Sequence, residues 1–316
     1  MRRGFQRRLL SWFDCHQREL PWRQNRDPYR VWLSEVMLQQ TRVAAVTDHY
    51  GKFLRRFPTI EKLASARESS VLTAWSGLGY YRRARMLHAA AKKIVKEHGG
   101  RFPGNAEDLR ALPGIGRYTA AAIASIAFDE PVAVVDGNVE RVLQRVQGKN
   151  LTGEGLWRAA GELLHRRRPG DFNQAMMELG ATLCLPRQPQ CLLCPVSDLC
   201  ATRGELRKPL KRSRQIKQEI YYALACRDGV TFMVKRPNTA ARMPGMWELP
   251  ETTSANGTTA AWLTLRHSIT VTDYLVSVMQ CLPPDGVDGR WVRDSKITTL
   301  PLTGLTRKIL RAAGII

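Results

Sequence analysis

Four cysteines, Cys184, Cys191, Cys194 and Cys200, fall within 17 residues at the spacing C-x6-C-x2-C-x5-C, while Cys15, Cys226 and Cys281 stand singly. Thiolates gathered this closely hold a soft metal centre, because each sulfur donates charge to iron or zinc and the short spacers close tight loops. Three arrangements compete for them. Disulfide pairing requires an oxidising compartment, and nothing in the sequence marks the chain as secreted. Zinc bound by four thiolates ordinarily uses two C-x2-4-C knuckles across a longer spacer, and only one C-x2-C is present here. The spacing favours an iron–sulfur cluster, one [4Fe–4S] per chain, with residues 184–200 as its loop.

Charge narrows the partners. The chain carries 49 Lys and Arg against 28 Asp and Glu, a net +21. The excess is +12 over residues 1–200 and +9 over the remainder, so both halves are basic. Such a surplus calls for a polyanion, and nucleic acid is the first candidate. No apolar run reaches the 18 residues that a membrane span requires, so no membrane partner is expected. The start of the chain has basic residues but an apolar core too short for a signal peptide, with Asp14 interrupting it. A reduced, cytoplasmic setting is expected, at the nucleoid if the source is bacterial.

Residues 1–200 read as mainly α: apolar residues recur at three- and four-residue spacing. One amphipathic helix is expected after Pro28, carrying Val31 through Val43, and another over 84–98, ended by Gly99-Gly100. Residues 202–217 hold seven basic side chains and one acid and read as a solvated linker. Beyond it, Glu219–Cys226 and Thr231–Val234 read as strands around an Asp228-Gly229 turn, Tyr274–Val278 as a strand and 305–313 as a helix. The C-terminal part is therefore α+β.

Leu112-Pro-Gly-Ile-Gly-Arg-Tyr-Thr-Ala120 follows one expected helix and opens a second. Gly114 and Gly116 permit a tight turn, so that backbone N–H groups can approach a phosphate at the next helix's start. This helix-hairpin-helix pattern grips the DNA backbone without reading sequence; an interhelical turn with no ligand is the plain alternative. Further on, an apolar run from Pro131 delivers Asp136 to the start of another helix. Aspartate is a favoured N-cap, but one held behind a buried run beside a phosphate-gripping hairpin is also placed to face a sugar.

In this order the hairpin, the aspartate and the four cysteines resemble the endonuclease III superfamily of base-excision DNA glycosylases. Within it, Leu20-Pro-Trp-Arg23, Ser34-Glu-Val-Met-Leu-Gln-Gln-Thr41, Gly77-Leu-Gly-Tyr-Tyr81 and Val135-Asp-Gly-Asn138 resemble the MutY-type adenine DNA glycosylases. The resemblance implies a two-lobed helix-hairpin-helix glycosylase domain over 1–201 with the iron–sulfur loop, a basic linker over 202–217, and a smaller Nudix (MutT)-like domain over 218–316. It implies a monomer acting on double-stranded DNA with adenine opposite 8-oxoguanine or guanine.

Cleaving a purine N-glycosidic bond requires a proton for the leaving base and an anion facing the charge that develops on the sugar, two carboxylates with opposed pKa demands. Glu35 lies among Trp32-Leu33 and Val36-Met37. An ordinary glutamate is protonated about once in 500 molecules at pH 7, and burial raises that fraction. A solvent-facing helical glutamate is the alternative where only the apolar flanks are read. By resemblance, Glu35 protonates adenine, Asp136 stabilises or covalently traps the oxocarbenium-like sugar, and Asn138 and Tyr118 support them.

The family's adenine pocket falls on Arg18, Leu20, Trp22 and Arg23, and its opposite-base probes on Gln40, Thr41, Leu78 and Tyr80, with Tyr80 able to fill the gap left by a flipped base. Gly114 and Gly116 belong to the hairpin expected on the DNA backbone, and Arg187 in the Cys184–Cys191 loop suggests a further phosphate contact. Tyr118 stands where bifunctional relatives carry the lysine that attacks the sugar, so monofunctional hydrolysis is implied. Bifunctional and thymine-mismatch relatives remain as alternatives, the latter lacking the equivalent of Glu35. A non-catalytic DNA-bound iron–sulfur sensor would leave Glu35 and Asp136 unexplained. In the C-terminal part, Met246-Trp-Glu-Leu-Pro250 and Leu300-Pro-Leu resemble the Nudix-like domain, but no magnesium-holding Nudix box follows. The relatives' Phe-Ser-His loop, which reads 8-oxoguanine, falls on Ile269-Thr270-Val271, where Thr270 keeps a hydroxyl and the histidine is gone.

Overall fold

The computed structural model describes residues 2–206, 216–240, 243–253, 261–269 and 272–316. The chain divides into two compact units: Met1–Ser65 with Met86–Pro209, and Ala66–Arg85 with Leu210–Ile316. Each is built differently. The described part of the first unit is helical, with α1 (Arg2–His16), a 3-10 turn at Pro21–Arg23, α2 (Pro28–Leu38), α3 (Val43–Arg56) and α4 (Ile60–Ala64). The chain then forms α5 (Glu68–Trp75) and α6 (Arg82–His98), followed by α7 (Ala106–Arg110), α8 (Arg117–Phe128), α9 (Gly137–Gln147), α10 (Glu154–Leu163) and α11 (Pro169–Thr182).

Helix α2 starts where local chemistry dictates. The Asp27 carboxylate accepts the Arg30 N–H at 2.9 Å, and Pro28 occupies the first turn, where its missing N–H costs nothing. Val31, Trp32, Leu33, Ser34, Glu35, Val36 and Met37 are all buried. The amphipathic helix expected from Val31 to Val43 is thus corrected twice. It is covered on every face, as a central helix is, and it stops at Leu38 because Gln40 turns the chain into the left-handed region (φ 56°) before α3 begins. The apolar spacing ran on across the break only because α3 starts with Val43.

Helix α6 ends as its glycines predict, with Gly99 and Gly100 at positive φ. Between α7 and α8 the hairpin turn is anchored by buried Leu109, Leu112 and Ile115. Gly114 has φ 74°, and a Cβ there would collide with Met86. Gly116 is extended (φ −86°) with open space around it, so the turn itself does not require glycine at that position.

The described part of the second unit joins residues 66–85 to two four-stranded sheets and two helices. Its elements are β1 (Ile216–Ala223), β2 (Cys226–Arg227), β3 (Val230–Lys235), β4 (Trp247–Glu248), β5 (Glu251–Thr252), β6 (Leu263–Ile269), β7 (Thr272–Met279), β8 (Gly289–Arg293), α12 (Asp294–Ile297) and α13 (Gly304–Ala312). One sheet runs β5-β1-β7-β6, with β1 parallel to β7; the other places β3 between β4 and β8 and pairs it with β2. Asp228 and Gly229 both have positive φ and close the two-residue turn between β2 and β3, as expected. The run Glu219–Cys226 is not one strand: β1 ends at Ala223, and Cys226 opens β2 in the other sheet. Met233, Leu249, Val276, Val278, Ile309 and Leu310 form part of the core beneath α13. Most of the expected linker lies outside the described residues, and its last members, Ile216 and Lys217, open β1. Among the described residues no helix is long and apolar enough to cross a membrane.

Candidate active site

Glu35 is 7% exposed, and its Oε2 accepts a 2.7 Å hydrogen bond from the hydroxyl of Tyr118 at the start of α8. That hydroxyl also lies 3.2 Å from the Met177 sulfur on α11. Burial pushes the Glu35 carboxyl up to about 7; the Tyr118 bond and the Arg23 charge oppose the rise, and the Asp136 charge adds to it. Burial first, then the charges of Glu35 and Asp136, drive Tyr118 well upward, so its phenol remains a protonated donor. Glu35 is therefore not the solvent-facing helical glutamate that its apolar flanks alone also allow.

Asp136 caps α9. Its Oδ1 accepts the backbone N–H groups of Asn138 (2.9 Å) and Val139 (2.7 Å), and its Oδ2 accepts the Asn138 side-chain amide at 3.0 Å. The carboxylate is thus oriented by three donors, with acceptor capacity left on Oδ2. Asn138 is fixed in turn by Arg141, which donates to its Oδ1 at 2.8 Å and to the carbonyls of Cys184 (2.7 Å) and Gly180 (2.6 Å). Helices α9 and α11 approach so closely here that a Cβ on Gly180 would come within 2.6 Å of the Asn138 Cβ. One carboxyl poised to hold a proton near neutrality therefore shares a unit with a second, polar-held carboxylate whose charge it feels. Chemically, that is an acid beside an anion.

Arg18 and Arg23 converge on Glu178, a residue the sequence reading missed. Oε1 accepts from Arg18 Nε (2.6 Å) and its backbone N–H (3.2 Å), and Oε2 accepts from Arg18 and Arg23, both at 2.8 Å. Burial would raise the Glu178 carboxyl, but the two arginines override it and hold it at about 2. Its oxygens are saturated, so Glu178 serves to hold the arginines. Trp22 is 8% exposed, edge-on to Tyr50 at 5.5 Å, and Leu20 beside it is partly exposed. The signal that marks Glu35 also stands at Met176-Met-Glu-Leu179, an acid amid apolar neighbours on a helix.

Cys184, Cys191, Cys194 and Cys200 line one cavity together with Val142, Arg145, Leu179 and Val196. Among the described residues no three His, Cys, Asp or Glu side chains close around a single-ion position. Four thiols facing one largely apolar cavity form a donor set that suits a soft metal centre. Burial, with the neighbouring thiols, pushes Cys194 up to about 11. Arg145, 4% exposed, donates to the Cys184 sulfur (3.3 Å) and to the carbonyls of Leu185 (2.7 Å) and Pro186 (3.0 Å), tying the loop to α9.

A sequence model described as the HhH-GPD superfamily of base excision DNA repair proteins matches residues 33–158, which span the hairpin and both carboxylates. The adenine DNA glycosylase of Rattus norvegicus is 41% identical over 313 residues, covering 79% of this chain and 60% of that protein. That of Buchnera aphidicola subsp. Acyrthosiphon pisum is 35% identical, covering 73% of this chain and 69% of the relative. The chain belongs to the adenine DNA glycosylase family. Among solved structures, a thermostable thymine-DNA glycosylase is similar at a TM-score of 0.61 and 33% identity, over 64% of this chain and 96% of that one. The chain spans 60% of the rat relative's length and 43% of the mouse relative's.

The remaining positions implied by the adenine glycosylase resemblance are distributed unevenly. Gln40, exposed and at φ 56°, and Thr41 occupy the turn after α2. In the other unit, Gly77, Gly79 and Tyr80 all have positive φ, and this turn leaves Tyr80 50% exposed while Leu78 is buried. The Arg83 guanidinium lies 5.6 Å from the Tyr80 ring. Gly116 and Arg187 are exposed, and α8 has no side-chain cap at Gly116. Thr270 and Val271 lie outside the described residues, as does the Ile269 side chain.

Proposed function

We propose that this chain is a monofunctional DNA glycosylase that hydrolyses the bond between deoxyribose and adenine mispaired with 8-oxoguanine or guanine, in base excision repair. The observation that carries the reading is the buried Glu35 carboxyl, pushed up to about 7 and hydrogen-bonded by Tyr118 at 2.7 Å, close enough to Asp136 to feel its charge. Glu35 gives its proton to the departing adenine; Asp136, locked by Asn138 and the α9 backbone, meets the cationic sugar; water completes the hydrolysis. The adenine relatives supply the choice of base, and Tyr118, in place of a lysine, supplies the monofunctional character.

Adenine rotates out of the duplex into a pocket formed by Leu20, Trp22 and the Glu178-held Arg18 and Arg23, while Tyr80 fills its place in the stack. Gln40, Thr41 and Leu78 face the opposite base. The uncapped start of α8 at Gly116 and the exposed Arg187 take phosphates. Cys184, Cys191, Cys194 and Cys200 hold a [4Fe–4S] cluster, which ties the 184–200 loop together when bound. The β-rich part over 218–316 is a Nudix-like recognition domain without hydrolase chemistry, in which Thr270 retains one donor for 8-oxoguanine. The enzyme works as a monomer, in the reduced compartment that holds its DNA.

The test is incubation with duplex carrying adenine opposite 8-oxoguanine, then alkali, which breaks strands at abasic sites. Cleavage only after alkali is expected, with Glu35→Gln losing about 10²–10⁴-fold. Efficient borohydride trapping during turnover would overturn the monofunctional assignment, and thymine release from G·T pairs in place of adenine would overturn the substrate.

A further inference from the structure

A second cluster of arginines lies far from the carboxylates. Arg2, Arg3 and Arg7 on α1 and Arg166, Arg167 and Arg168 between α10 and α11 line one open groove. The hydrogen bonds from Gln6, 8% exposed, to the carbonyls of Leu163 and Leu164, both 2.9 Å, hold the two walls together. The carboxylate on the groove, Asp14, is already taken: Arg168 binds it through two nitrogens at 2.6 and 3.1 Å and holds its carboxyl below the usual range. Among the described residues no hydrogen bond or ion pair engages the exposed Arg3, Arg7, Arg166 or Arg167. Four guanidinium groups therefore converge without compensation.

The helices fix where this groove stands. Tyr118, at the start of α8, meets Met177 in the second half of α11, while Ser125, near the end of α8, accepts from Asn173 early in α11 at 2.9 Å. The two helices are antiparallel. The groove sits at the end where α11 begins, and the hairpin lies at the other, about 18 Å away along the 12 residues of α8. The groove is therefore a phosphate-binding feature separate from the hairpin.

We propose that this groove is a second, non-catalytic site for the phosphate backbone of duplex DNA, which lets the protein hold two DNA segments at once and move between them. Guanidinium forks match phosphate oxygens in pairs. Its lining carries no Phe, Tyr or Trp, and its one aromatic ring, the partly buried His165, is held by the Arg168 N–H at 3.2 Å, so it lacks the row of stacking platforms that a single strand would need. Nor does it offer an exposed apolar anchor of the kind on which an acidic peptide's binding energy would centre. The inference rests on the proposed function only in taking DNA as the polyanion.

The test uses the full chain with a short undamaged duplex and reads stoichiometry by titration calorimetry, independently of base release. Two duplexes per protein are expected, the weaker losing affinity with a slope of about −3 to −4 in log K against log salt for four phosphate contacts. Arg3→Ser, Arg7→Ser, Arg166→Ser and Arg167→Ser combined should bind one duplex and still release adenine. A charge-matched control, Lys52→Ser, Arg55→Ser, Lys62→Ser and Lys92→Ser, should keep both. A single duplex on the unaltered protein, a second retained by the groove variant, or an equal loss in the control overturns the proposal. So does capture of an oligoglutamate peptide by the groove without a second duplex.

Discussion

Glu35 carries two consequences of one fact. Because burial raises its folded pKa from the ordinary 4.5 to about 7, its ionisation is resisted by the native state. The acid is ready at pH 6, and adenine release should fall as pH climbs through about 7. The sign for stability follows: a raised carboxyl costs nothing below 4.5, and its penalty grows between there and about 7, reaching roughly 3 kcal/mol above it. Glu35→Gln should therefore be inactive yet more stable than the unaltered protein at pH 8, and no more stable at pH 5. Denaturant unfolding at both pH values checks this; an unaltered or reduced stability at pH 8 would mean that the carboxyl is not held neutral. Glu35 is legible in the sequence because its apolar neighbours surround it and a long motif encloses it. Glu178 has similar apolar neighbours, but its meaning depends on Arg18 and Arg23, roughly 160 residues away in the chain. Periodicity along a helix cannot convey a partner so distant, so only the folded arrangement reveals that Arg18 and Arg23 share one carboxylate.

At the scale of the element, α9 separates a structural duty from a chemical one. Asp136 is both N-cap and candidate catalytic anion, and Asn is as good a cap as Asp. Asp136→Asn should leave the unfolding free energy within about 1 kcal/mol while cutting adenine release by 10²-fold or more, since the amide cannot meet a sugar cation. Asp136→Ala should lose activity and also about 1 kcal/mol of stability. If Asp136→Asn keeps full activity, the residue is only a cap. Element boundaries show what the sequence conveys and where it stops. Gly99-Gly100 and Asp228-Gly229 are read correctly because the glycines and the aspartate have local reasons to turn. The break at Gln40 is not, because glutamine has no intrinsic preference for that conformation and is held in it by tertiary structure. The division at Ala223 is equally silent: apolar residues run across it, and only sheet membership distinguishes β1 from β2.

Across the whole molecule, the second unit draws residues 66–85 from the middle of the chain. The Tyr81 hydroxyl donates to the Leu302 carbonyl at 2.8 Å, and Arg307 donates to the Ser76 hydroxyl at 2.6 Å. Removal of 217–316 therefore strips partners from the segment bearing Leu78 and Tyr80, in addition to removing the β-rich part. The truncated chain should lose preference for 8-oxoguanine over guanine and bind mismatches more weakly, while single-turnover release from bound DNA falls less. An equal fall in all three would place the chemistry itself under the control of the second unit. The same interleaving sets an order of events during synthesis. Tyr81 and Leu302 are 221 residues apart, so at 5–20 residues per second the early segment waits roughly 10–45 s for its partner to be made. Protease pulses on ribosome-bound chains stalled before residue 300 should cut within 66–85, and that cutting should cease once α13 has emerged; protection from the outset would mean that the segment folds without its later neighbours.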